Sequence, residues 1–391
     1  MDELERSGNL PEIVHVVARY PPALGGMEKV AESLAQAQYS RGIKVAVLTS
    51  GDGLSRLEAR ADLAFPVLRL KSFNAAHTPI IPGLLPGLLR LAPNSAIHLH
   101  ISTAYMPEIV WAYSHLRNCP YIAHVHLDVL PSGKAGFLLE PYKRVFLRRV
   151  LRSALVVVVP TDDYREIISR RYAIASERIV VIPNGTSHRV AGNAKSLSGR
   201  RAKVKLLFVG RLSVQKNLPL LLDATAAYLR EYGDAELRIV GDGEERSAVR
   251  SRIQQLGLGN SVTMLGPVRG EELEFIYDSS DIFIMTSINE SFGVVFIEAM
   301  TKGLPIVSVD IPAIRNVVNH GTNGLLAESN AASIAAAIRA LSTNEMLYST
   351  ISRNNLAKSQ DYDPAKIAEK FMTLYGSIHI WPGAGDGCPH P

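Results

Sequence analysis

The stretch Glu290–Gly303, ESFGVVFIEAMTKG, contains two glutamates and a glycine. These residue types at this spacing are typical of a ligand-binding loop that leads into a helix. The stretch follows the apolar run IFIMTS and predicts a helix that opens near Gly293. A helix N-terminus presents unpaired N–H groups that can hold a diphosphate, and glycine lets the backbone approach that ligand closely. Glu290 before the helix and Glu298 within it could accept hydrogen bonds from sugar hydroxyls. The alternative is that one glutamate caps the helix and the other lies on its solvent-exposed face.

Two cations lie in the segment FVGRLSVQKN, Phe208–Asn217. This segment follows the first strand predicted in the second half of the chain, and open parallel sheets bind ligands at the carboxyl ends of their strands. At that place Arg211 and Lys216 could neutralise a diphosphate leaving group. The alternative is that both are solvated surface residues.

A glycine pair, Gly25 and Gly26, lies between the first predicted strand and the helix that follows it. Backbone N–H groups at this turn could contact a phosphate or a sugar. Many turns from strand to helix use glycine only for its shape, so the pair alone is a weak indication.

Two His-x-His pairs, His98/His100 and His124/His126, lie on predicted strands of the first half. Residues two apart on a strand point to the same face, so each pair could chelate a metal. Hydrogen bonding within the fold is the alternative that we favour, and we predict no metal site.

The elements that position these residues alternate along the chain. Short apolar runs typical of buried parallel strands are separated by longer helical patterns, which implies βαβ units. The predicted strands are Ile13–Ala18, Ile43–Thr49, Ile97–Ile101, Tyr121–Val125, Leu155–Val159, Ile179–Ile182, Lys205–Val209, Leu237–Val240, Val262–Leu265, Ile282–Met285 and Ile306–Val309. Residues 186–203 are polar and without periodicity and predict a linker, while Pro364–Ser377 predicts a last amphipathic helix. The pattern therefore predicts an α/β fold with two doubly wound parallel sheets.

Length and composition are those of a soluble globular enzyme. The 391 residues exceed one ordinary core, and 47% are hydrophobic and 20% charged. Two cysteines, Cys119 and Cys388, cannot form a disulfide framework. The polar start MDELERSGNL and the short apolar runs predict neither a secretory signal nor a membrane span, so we expect a cytoplasmic protein. The net charge of +5 is modest, and no motif of a nucleic-acid-binding protein is present in the sequence.

Seven motifs in a fixed order give the sequence a family resemblance. They are PPALGGMEKV, IPNG, VGRLSVQKN, IVGDGEERSAV, LGPV, YDSSDIFIMTSINESFG and EAMTKGLPIV. In this order and spacing they resemble the retaining glycosyltransferases of the GT-B fold, glycosyltransferase family 4 (glycosyl transferases group 1), over nearly the whole chain. Glu290 and Glu298 match the two glutamates that this family separates by seven residues.

The resemblance implies two Rossmann-like domains that face each other across a cleft. An acceptor-side domain would span residues 1–190, a nucleotide-sugar-binding domain 200–362, and a helix within 363–380 would cross back to the first domain. The implied reaction passes a hexosyl group from a nucleotide-diphosphate-sugar to an acceptor hydroxyl with retention of configuration, without a metal or another cofactor. A UDP-sugar is the favoured donor and a GDP-sugar the second. The acceptor stays open among lipid-linked sugars, cyclitol or aminocyclitol natural products and polysaccharides, because the loops 74–87 and 130–137 that would select it carry no signature.

The resemblance also implies a role for individual residues. Arg211 and Lys216 would bind the diphosphate, Glu290 the donor sugar, and Glu298 the ribose hydroxyls. His126 would contact the transferred sugar, and these residues except Glu298 would form the catalytic group. The donor would in addition meet Gly25, Gly26, Phe292, Gly293, Val294 and the backbone at Val268.

The sequence departs from the family pattern at two places. Asn316 in DIPAIRNVV stands where the family often has a glutamate, so this segment is left out of the predicted site. Leu127 separates His126 from Asp128, which weakens any specific role for Asp128.

Three further hypotheses compete with this prediction or extend it. An NAD-dependent oxidoreductase would use GDGEER, but Arg246 stands where a dinucleotide fingerprint has its third glycine. A nucleotide-sugar epimerase of similar fold would bind a similar donor without an acceptor. The basic stretch Tyr142–Ala154 could touch a membrane peripherally, although we favour a solvated helix face that packs on the sheet.

Overall fold

The computed structural model divides the chain into two compact units. Unit one comprises Met1–Gly185 and Pro364–Pro391, and unit two comprises Thr186–Asp363. The structure describes residues 11–23, 25–51, 64–75, 78–91, 95–101, 103–126, 139–188, 190–197 and 203–378. Leu127, Asp128, Cys388 and the loop 130–137 lie outside the described residues.

Unit one is built on a sheet of seven parallel strands in the order β3-β2-β1-β6-β7-β8-β9, beside a two-stranded antiparallel hairpin, β4-β5. The strands are β1 (Ile13–Val16), β2 (Val45–Ser50), β3 (Val67–Leu70), β4 (Phe73–Ala75), β5 (Thr78–Ile80), β6 (Ala96–Ile101), β7 (Tyr121–Val125), β8 (Val156–Val159) and β9 (Ile179–Val181). The central strands are buried along their whole length, because helices cover both faces of a parallel sheet.

Helices connect the strands of unit one. They are α1 (Gly26–Tyr39), α2 (Leu84–Leu91), α3 (Met106–Arg117), α4 (Leu139–Tyr142), α5 (Arg148–Ser153) and α6 (Asp162–Tyr172). A π-helical turn, Lys143–Leu147, joins α4 to α5, and a 3₁₀ turn, Ser176–Arg178, precedes β9.

The basic stretch Tyr142–Ala154 forms this π turn and α5. Leu147 and Val150 are buried in the core, as expected for a helix face that packs on the sheet, while Val145 and Phe146 are 48% and 51% exposed. Peripheral membrane contact through this stretch stays a prediction that we do not favour. Across the described ranges, no helix combines the length and the apolar character needed to cross a bilayer.

Unit two is built on a sheet of six parallel strands in the order β12-β11-β10-β13-β14-β15. The strands are β10 (Val204–Val209), β11 (Ala235–Val240), β12 (Val262–Gly266), β13 (Ile282–Met285), β14 (Ile306–Val309) and β15 (Gly324–Ala327). The helices are α7 (Leu218–Glu231), α8 (Arg246–Gln255), α9 (Gly270–Asp278), α10 (Val294–Thr301), α11 (Pro312–Arg315), α12 (Ala331–Thr343) and α13 (Glu345–Ser359). Two 3₁₀ turns, Val214–Lys216 and Gln360–Tyr362, complete the unit.

The polar stretch after residue 185 lies along unit two. The Ala191 N–H donates to the Thr301 carbonyl (2.7 Å), and the Lys195 side chain donates to the carbonyls of Asp278 and Ser280 (2.6 and 2.7 Å). These bonds hold the described part of this stretch on the unit that follows it, because its own sequence forms no helix or strand.

The last helix, α14 (Pro364–Ser377), belongs to unit one. Ile367, Phe371 and Tyr375 are buried in a core cluster with residues of β1, α1 and β8. The apolar side of the helix therefore packs on one face of the first sheet. In the sequence, the 178 residues of unit two, 186–363, lie between this helix and the rest of unit one.

The predicted fold class, two doubly wound parallel sheets, is confirmed. Eleven predicted strands are present, and α14 has the predicted bounds. The prediction missed β3 and β15 and the two hairpin strands β4 and β5. All four have only three or four residues, and runs as short as VLRL and GLLA carry little periodicity.

Candidate functional site

Two loops of unit two leave the sheet where its strand order reverses. β10 and β13 are hydrogen-bonded neighbours, yet the chain runs from β10 to β11 on one side and reaches β13 only later. Such a switch point opens a crevice at the carboxyl ends of the strands. Arg211 and Lys216 follow β10, and Glu290 follows β13, so all three lie beside this crevice.

Backbone and hydroxyl hydrogen bonds join the two loops. The Ile288 N–H donates to the Gln215 carbonyl (2.9 Å), and the Thr286 hydroxyl lies within donating distance of the carbonyls of Lys216 (2.9 Å) and Asn217 (3.1 Å). The position of the cation loop is therefore set by the loop that carries the carboxylate.

Lys216 and Glu290 form an ion pair across these loops. The Ser287 hydroxyl donates a second hydrogen bond to Glu290 Oε1 (3.0 Å). The side chain of Glu290 is 9% exposed and that of Lys216 17%, so the pair is sheltered while the cation keeps access to a ligand. Arg211 is exposed, which leaves its guanidinium available to a phosphate.

Two glycines let the loops after β10 and β11 pack closely. A Cβ atom on Gly241, whose φ is +131°, would lie 1.9 Å from the Gly210 carbonyl oxygen. One on Gly243 would lie 2.3 Å from the Leu212 carbonyl oxygen. Loop packing therefore explains the two glycines of GDGEER. With Arg246 in place of a third glycine, the motif does not indicate a dinucleotide-binding site.

The helix after Glu290 opens as predicted. Gly293 has a left-handed φ of +70° and α10 begins at Val294, without a side-chain cap. The Phe296 ring packs against Gly293, where a Cβ atom would lie 2.5 Å from Phe296 Cδ2. Phe292 is 2% exposed and meets Tyr362 edge-on at 5.6 Å, so its ring belongs to the core and only its backbone can face a ligand.

Glu298 is enclosed inside unit two, at 1% exposure. The Tyr277 hydroxyl donates to its Oε2 (2.7 Å), and His188 Nε2 lies 3.3 Å from its Oε1. Burial and the adjacent Glu298 carboxylate raise the pKa of Tyr277, which keeps this hydroxyl a donor. The alternative in which one glutamate caps the helix and the other faces solvent is wrong, since α10 has no side-chain cap and Glu298 is buried. His188 was missed, because nothing in its local sequence marks it as a partner of a residue 110 positions away.

The remaining predicted positions of unit two lie on other loops. Val268 follows β12, two strands away from β10, and is partly buried against the core. Asn316 caps α11, and Arg315 beside it makes a two-pronged contact with Asp310 at 2.6 and 2.9 Å. This segment therefore stabilises its own turn.

In unit one, the glycine pair stands at the start of α1. Gly26 is the first helical residue and Gly25 the residue before it. Gly25 has an extended backbone, φ 168°, and the three atoms nearest to a Cβ atom there all belong to the carboxylate of Glu28, with Oε2 at 2.0 Å. Because a flexible side chain can move, this turn does not need glycine for its conformation.

Strand register gathers five histidines on one face of the first sheet. His15 on β1 pairs with His98 on β6, and His100 on β6 pairs with His124 on β7. His126 follows directly after β7, and all five are buried. His15 was missed because the sequence IVHVVA resembles any buried strand, and only the register brings this ring to the two His-x-His pairs.

The five rings hydrogen-bond to one another. His15 Nδ1 lies 2.9 Å from His100 Nε2, and His100 Nδ1 lies 2.8 Å from His126 Nε2. His98 Nε2 lies 3.1 Å from His124 Nδ1. Bonding within the fold, the alternative that we favoured for these histidines, is therefore what the structure has.

Burial keeps these histidines neutral. It lowers the pKa of His15 to about 4 and that of His126 to about 3, and it holds the pKa of His98, His100 and His124 well below the ordinary value. Neutral imidazole is the form that binds metals. One ring nitrogen each from His15, His98 and His100, or from His100, His124 and His126, lies within 4.8 Å of the others, so either triad has the spacing for an ion.

Two family models match this chain, one on each unit. Residues 25–185 match a glycosyl transferase 4-like domain, and residues 194–359 match glycosyl transferases group 1. Two relatives are similar to this chain over most of their own length. The D-inositol 3-phosphate glycosyltransferase of Corynebacterium urealyticum is 27% identical over 90% of this chain and 84% of its own length. The phosphatidyl-myo-inositol mannosyltransferase of Mycobacterium leprae is 28% identical over 90% of this chain and 93% of its own.

Solved structures share the fold. HepE of Anabaena, solved in complex with UDP and glucose, superposes with a TM-score of 0.75 at 22% identity. The match covers 94% of this chain and 100% of that one. At this identity the likeness establishes the architecture, two Rossmann-like sheets joined in one chain.

Proposed function

This chain belongs to the group 1 glycosyl transferases of glycosyltransferase family 4, and from that premise we propose that it is a retaining enzyme that passes a hexosyl group from a nucleotide-diphosphate-sugar to an acceptor hydroxyl. The observation that carries the proposal is the Lys216–Glu290 pair at the switch point of unit two. A glycosyltransferase needs positive charge where a diphosphate departs and hydrogen-bond acceptors where a sugar lies. The pair places both groups in one contact.

The diphosphate would be held by cations and by backbone N–H groups. Arg211 and Lys216 supply the cations, and the start of α10 at Gly293 and Val294 supplies N–H groups without a side-chain cap. In the reaction, the bond from the sugar C1 to the diphosphate oxygen breaks and the acceptor oxygen bonds to C1 on the same face. The acceptor proton passes to an oxygen of the leaving phosphate. Because the two cations and the helix terminus carry the positive charge, the proposal includes no metal.

The sugar and the nucleoside would be held by separate groups. Glu290 would accept hydrogen bonds from the donor sugar, and His126 with the backbone at Gly25 and Gly26 would contact the transferred sugar. Glu298 would hold the ribose.

The contact between Glu298 and the ribose requires an exchange of partners. Glu298 is enclosed, so a ribose hydroxyl must replace one of its present contacts. The His188 contact, at 3.3 Å, is longer than the hydrogen bond from Tyr277, at 2.7 Å, and is therefore the one we expect to yield. The nucleobase would lie against the backbone at Val268.

A UDP-sugar is the proposed donor, with a GDP-sugar second, and UDP is the nucleotide of the HepE complex that shares this fold. Both relatives have inositol in their names, so a cyclitol is the first acceptor to assay. Aminocyclitols, lipid-linked sugars and polysaccharides follow it.

The test begins with thermal unfolding in the presence of UDP-, GDP-, ADP- and dTDP-sugars, with NAD as a control. A ligand at about 100 times its dissociation constant adds about 2.7 kcal/mol to the free energy of unfolding, which is readily measured. We expect one nucleotide-sugar to raise the unfolding temperature and NAD to leave it unchanged. Stabilisation by NAD alone would contradict the proposal.

Product analysis with that donor then tests the chemistry. With myo-inositol and the other acceptor classes, we expect a glycoside whose anomeric proton coupling shows the configuration of the donor. An inverted product would overturn the retaining mechanism. Conversion of the donor to its epimer without any acceptor would show an epimerase instead.

A further inference from the structure

The histidines of unit one belong to a longer hydrogen-bonded chain that also includes an amide and a phenol. His15 Nε2 lies 2.7 Å from Gln38 Oε1, and Gln38 Nε2 donates to the Tyr375 hydroxyl at 3.2 Å. Tyr375 Oη in turn lies 2.6 Å from His98 Nδ1. The chain therefore runs without interruption from His126 through Gln38 to His124.

Gln38 sets the direction of the hydrogen bonds in the branch that ends at His126. A neutral imidazole has one N–H donor and one acceptor nitrogen, whereas an amide oxygen can only accept. His15 must therefore carry its proton on Nε2, and its Nδ1 accepts from His100 Nε2–H. His100 Nδ1 then accepts from His126 Nε2–H, which leaves His126 Nδ1 with a lone pair.

The other branch leaves the opposite group at its end. The amide N–H donates to Tyr375, whose hydroxyl can donate to His98 Nδ1. His98 then donates from Nε2 to His124 Nδ1, so His124 retains an N–H on Nε2. In this arrangement all five rings are Nε2–H tautomers, the commoner form of a neutral imidazole in water. Rotation of the Gln38 amide by 180° would force all five into the rarer Nδ1–H form.

At each end of this hydrogen-bonded chain, one ring nitrogen has no partner within the described ranges. Among the residues that the structure describes, His126 Nδ1 and His124 Nε2 have no hydrogen-bond partner, although both atoms are buried. Buried polar atoms are nearly always paired. His126 Nδ1, at the carboxyl end of β7, is therefore an acceptor that can bind a donor from a ligand. A sugar hydroxyl is such a donor.

We propose that Gln38 is a positioning residue for the transfer reaction: through His15 and His100 it holds His126 in the Nε2–H tautomer, so that His126 Nδ1 accepts a hydrogen bond from a hydroxyl of the transferred sugar. The inference rests on the proposed function for the sugar contact alone. The last helix has a part in it, because Tyr375 on α14 binds the amide N–H and Phe371 packs on His98 and His124.

The tautomers can be measured without any substrate. In protein labelled with ¹⁵N in its histidine rings, a long-range ¹H–¹⁵N spectrum distinguishes protonated from unprotonated ring nitrogens, and His126→Asn identifies the His126 signals. We expect His126 to carry its proton on Nε2 in the unaltered protein. A spectrum with the proton on Nδ1, or ring nitrogens bound to a metal that copurifies with the protein, would overturn the proposal.

Three substitutions distinguish the effect of the Gln38 acceptor from that of the other hydrogen bonds in the network. Gln38→Met keeps the length of the side chain and removes the acceptor, so we expect His126 to shift toward Nδ1–H and kcat to fall about tenfold, while KM for the donor changes less than about twofold. Gln38→Glu keeps an accepting oxygen and should preserve both the tautomer and kcat. Tyr375→Phe is the matched control, since it breaks the branch to His98 and leaves the acceptor for His15 in place.

The outcomes distinguish this inference from the proposed function. If Gln38→Met leaves the His126 tautomer unchanged, the inference fails, whatever the activity. If the tautomer shifts while kcat stays the same, the role of Gln38 in transfer is refuted. Should Gln38→Met fail to fold, the spectrum of the unaltered protein and that of Gln38→Glu still decide, because both must show His126 as Nε2–H. Absence of any transferase activity would refute the proposed function, and the spectra would still test the tautomer.

Discussion

The two sheets place polar groups at the carboxyl ends of their strands by opposite physical means. In unit one, five histidines are buried, remain neutral and hydrogen-bond to one another. In unit two, Lys216 and Glu290 carry charges, and their side chains keep 17% and 9% of their surface exposed. Because burial of an unpaired charge costs far more than burial of a hydrogen-bonded neutral group, the charged pair stays at the rim and the imidazoles can enter the core.

This difference matches what each unit would contact. A departing diphosphate needs cations, which in the proposed function Arg211 and Lys216 would supply, whereas a sugar hydroxyl needs only a neutral donor or acceptor with a fixed direction. The histidine chain provides such a fixed direction, and a charged group at the same depth would not be stable. The two units should therefore respond differently to pH, to loss of a charge and to added volume.

Acid should open unit one before unit two, and this is the largest change that we predict. Burial lowers the pKa of His15 to about 4, below the ordinary value of 6.5, so the unfolded chain binds its proton first and the free energy of unfolding falls as the pH drops from 6.5 to 4. His15 alone accounts for about 3 kcal/mol of that fall, at about 1.4 kcal/mol for each unit of pKa. The four other histidines shift in the same direction and add to the effect.

Hydrogen exchange followed by mass spectrometry measures this difference peptide by peptide. Between pH 6.5 and 4, we expect β6 and β7 to lose protection while β10 and β13 keep theirs. The exposed His115 offers a matched control, since His115→Asn removes a histidine from the surface and leaves the five buried rings in place. Loss of protection in both units at one pH would refute the contrast.

Loss of the cation in unit two should affect catalysis more than stability. Lys216→Ala removes charge from the site proposed for the diphosphate, and we expect kcat/KM to fall about 10²- to 10³-fold. It also leaves Glu290 sheltered without its partner, at a cost of about 1–3 kcal/mol in the free energy of unfolding. Adding Glu290→Gln should recover stability and leave activity low. Steady-state kinetics and thermal unfolding measure the two effects, with the exposed Arg250→Ala as the control. Full activity in Lys216→Ala would refute the site assignment.

The elements of both units follow from local pattern, and most of the site's contacts do not. The helix that opens at Gly293, the cation loop after β10 and the bounds of α14 are all legible from nearby residues, because periodicity and turn residues act over short distances. The contact between Lys216 and Glu290 spans 74 positions and depends on β10 and β13 being neighbours. The family motifs point to both residues, but not to the ion pair between them.

The histidine chain lay further beyond what the sequence could predict. The two His-x-His pairs are visible, yet His15 joins them only through the register of β1 with β6. Tyr375 reaches His98 from 277 positions away. The same limit hid His188 beside Glu298, since the contacts of a buried carboxylate are set by packing between elements.

A last contrast concerns glycines, which both units place in loops after their strands but for different reasons. Gly241→Ala should lower the free energy of unfolding by about 2–4 kcal/mol, because its φ is +131° and the new Cβ would lie 1.9 Å from a backbone oxygen of Gly210. Gly257→Ala is the matched control for conformation alone: φ is +66° with no atom within 4 Å, so the cost should be about 1 kcal/mol. Gly25→Ala should change stability by less than about 0.5 kcal/mol, since its backbone is extended and the nearest atoms belong to the end of the Glu28 side chain, which can rotate away. Urea unfolding ranks the three variants, and a similar cost for Gly25 and Gly241 would show that the turn before α1 is as constrained as the loops behind Arg211. If Gly25→Ala instead weakens donor binding while the fold stays intact, glycine at that turn serves the ligand and not the backbone.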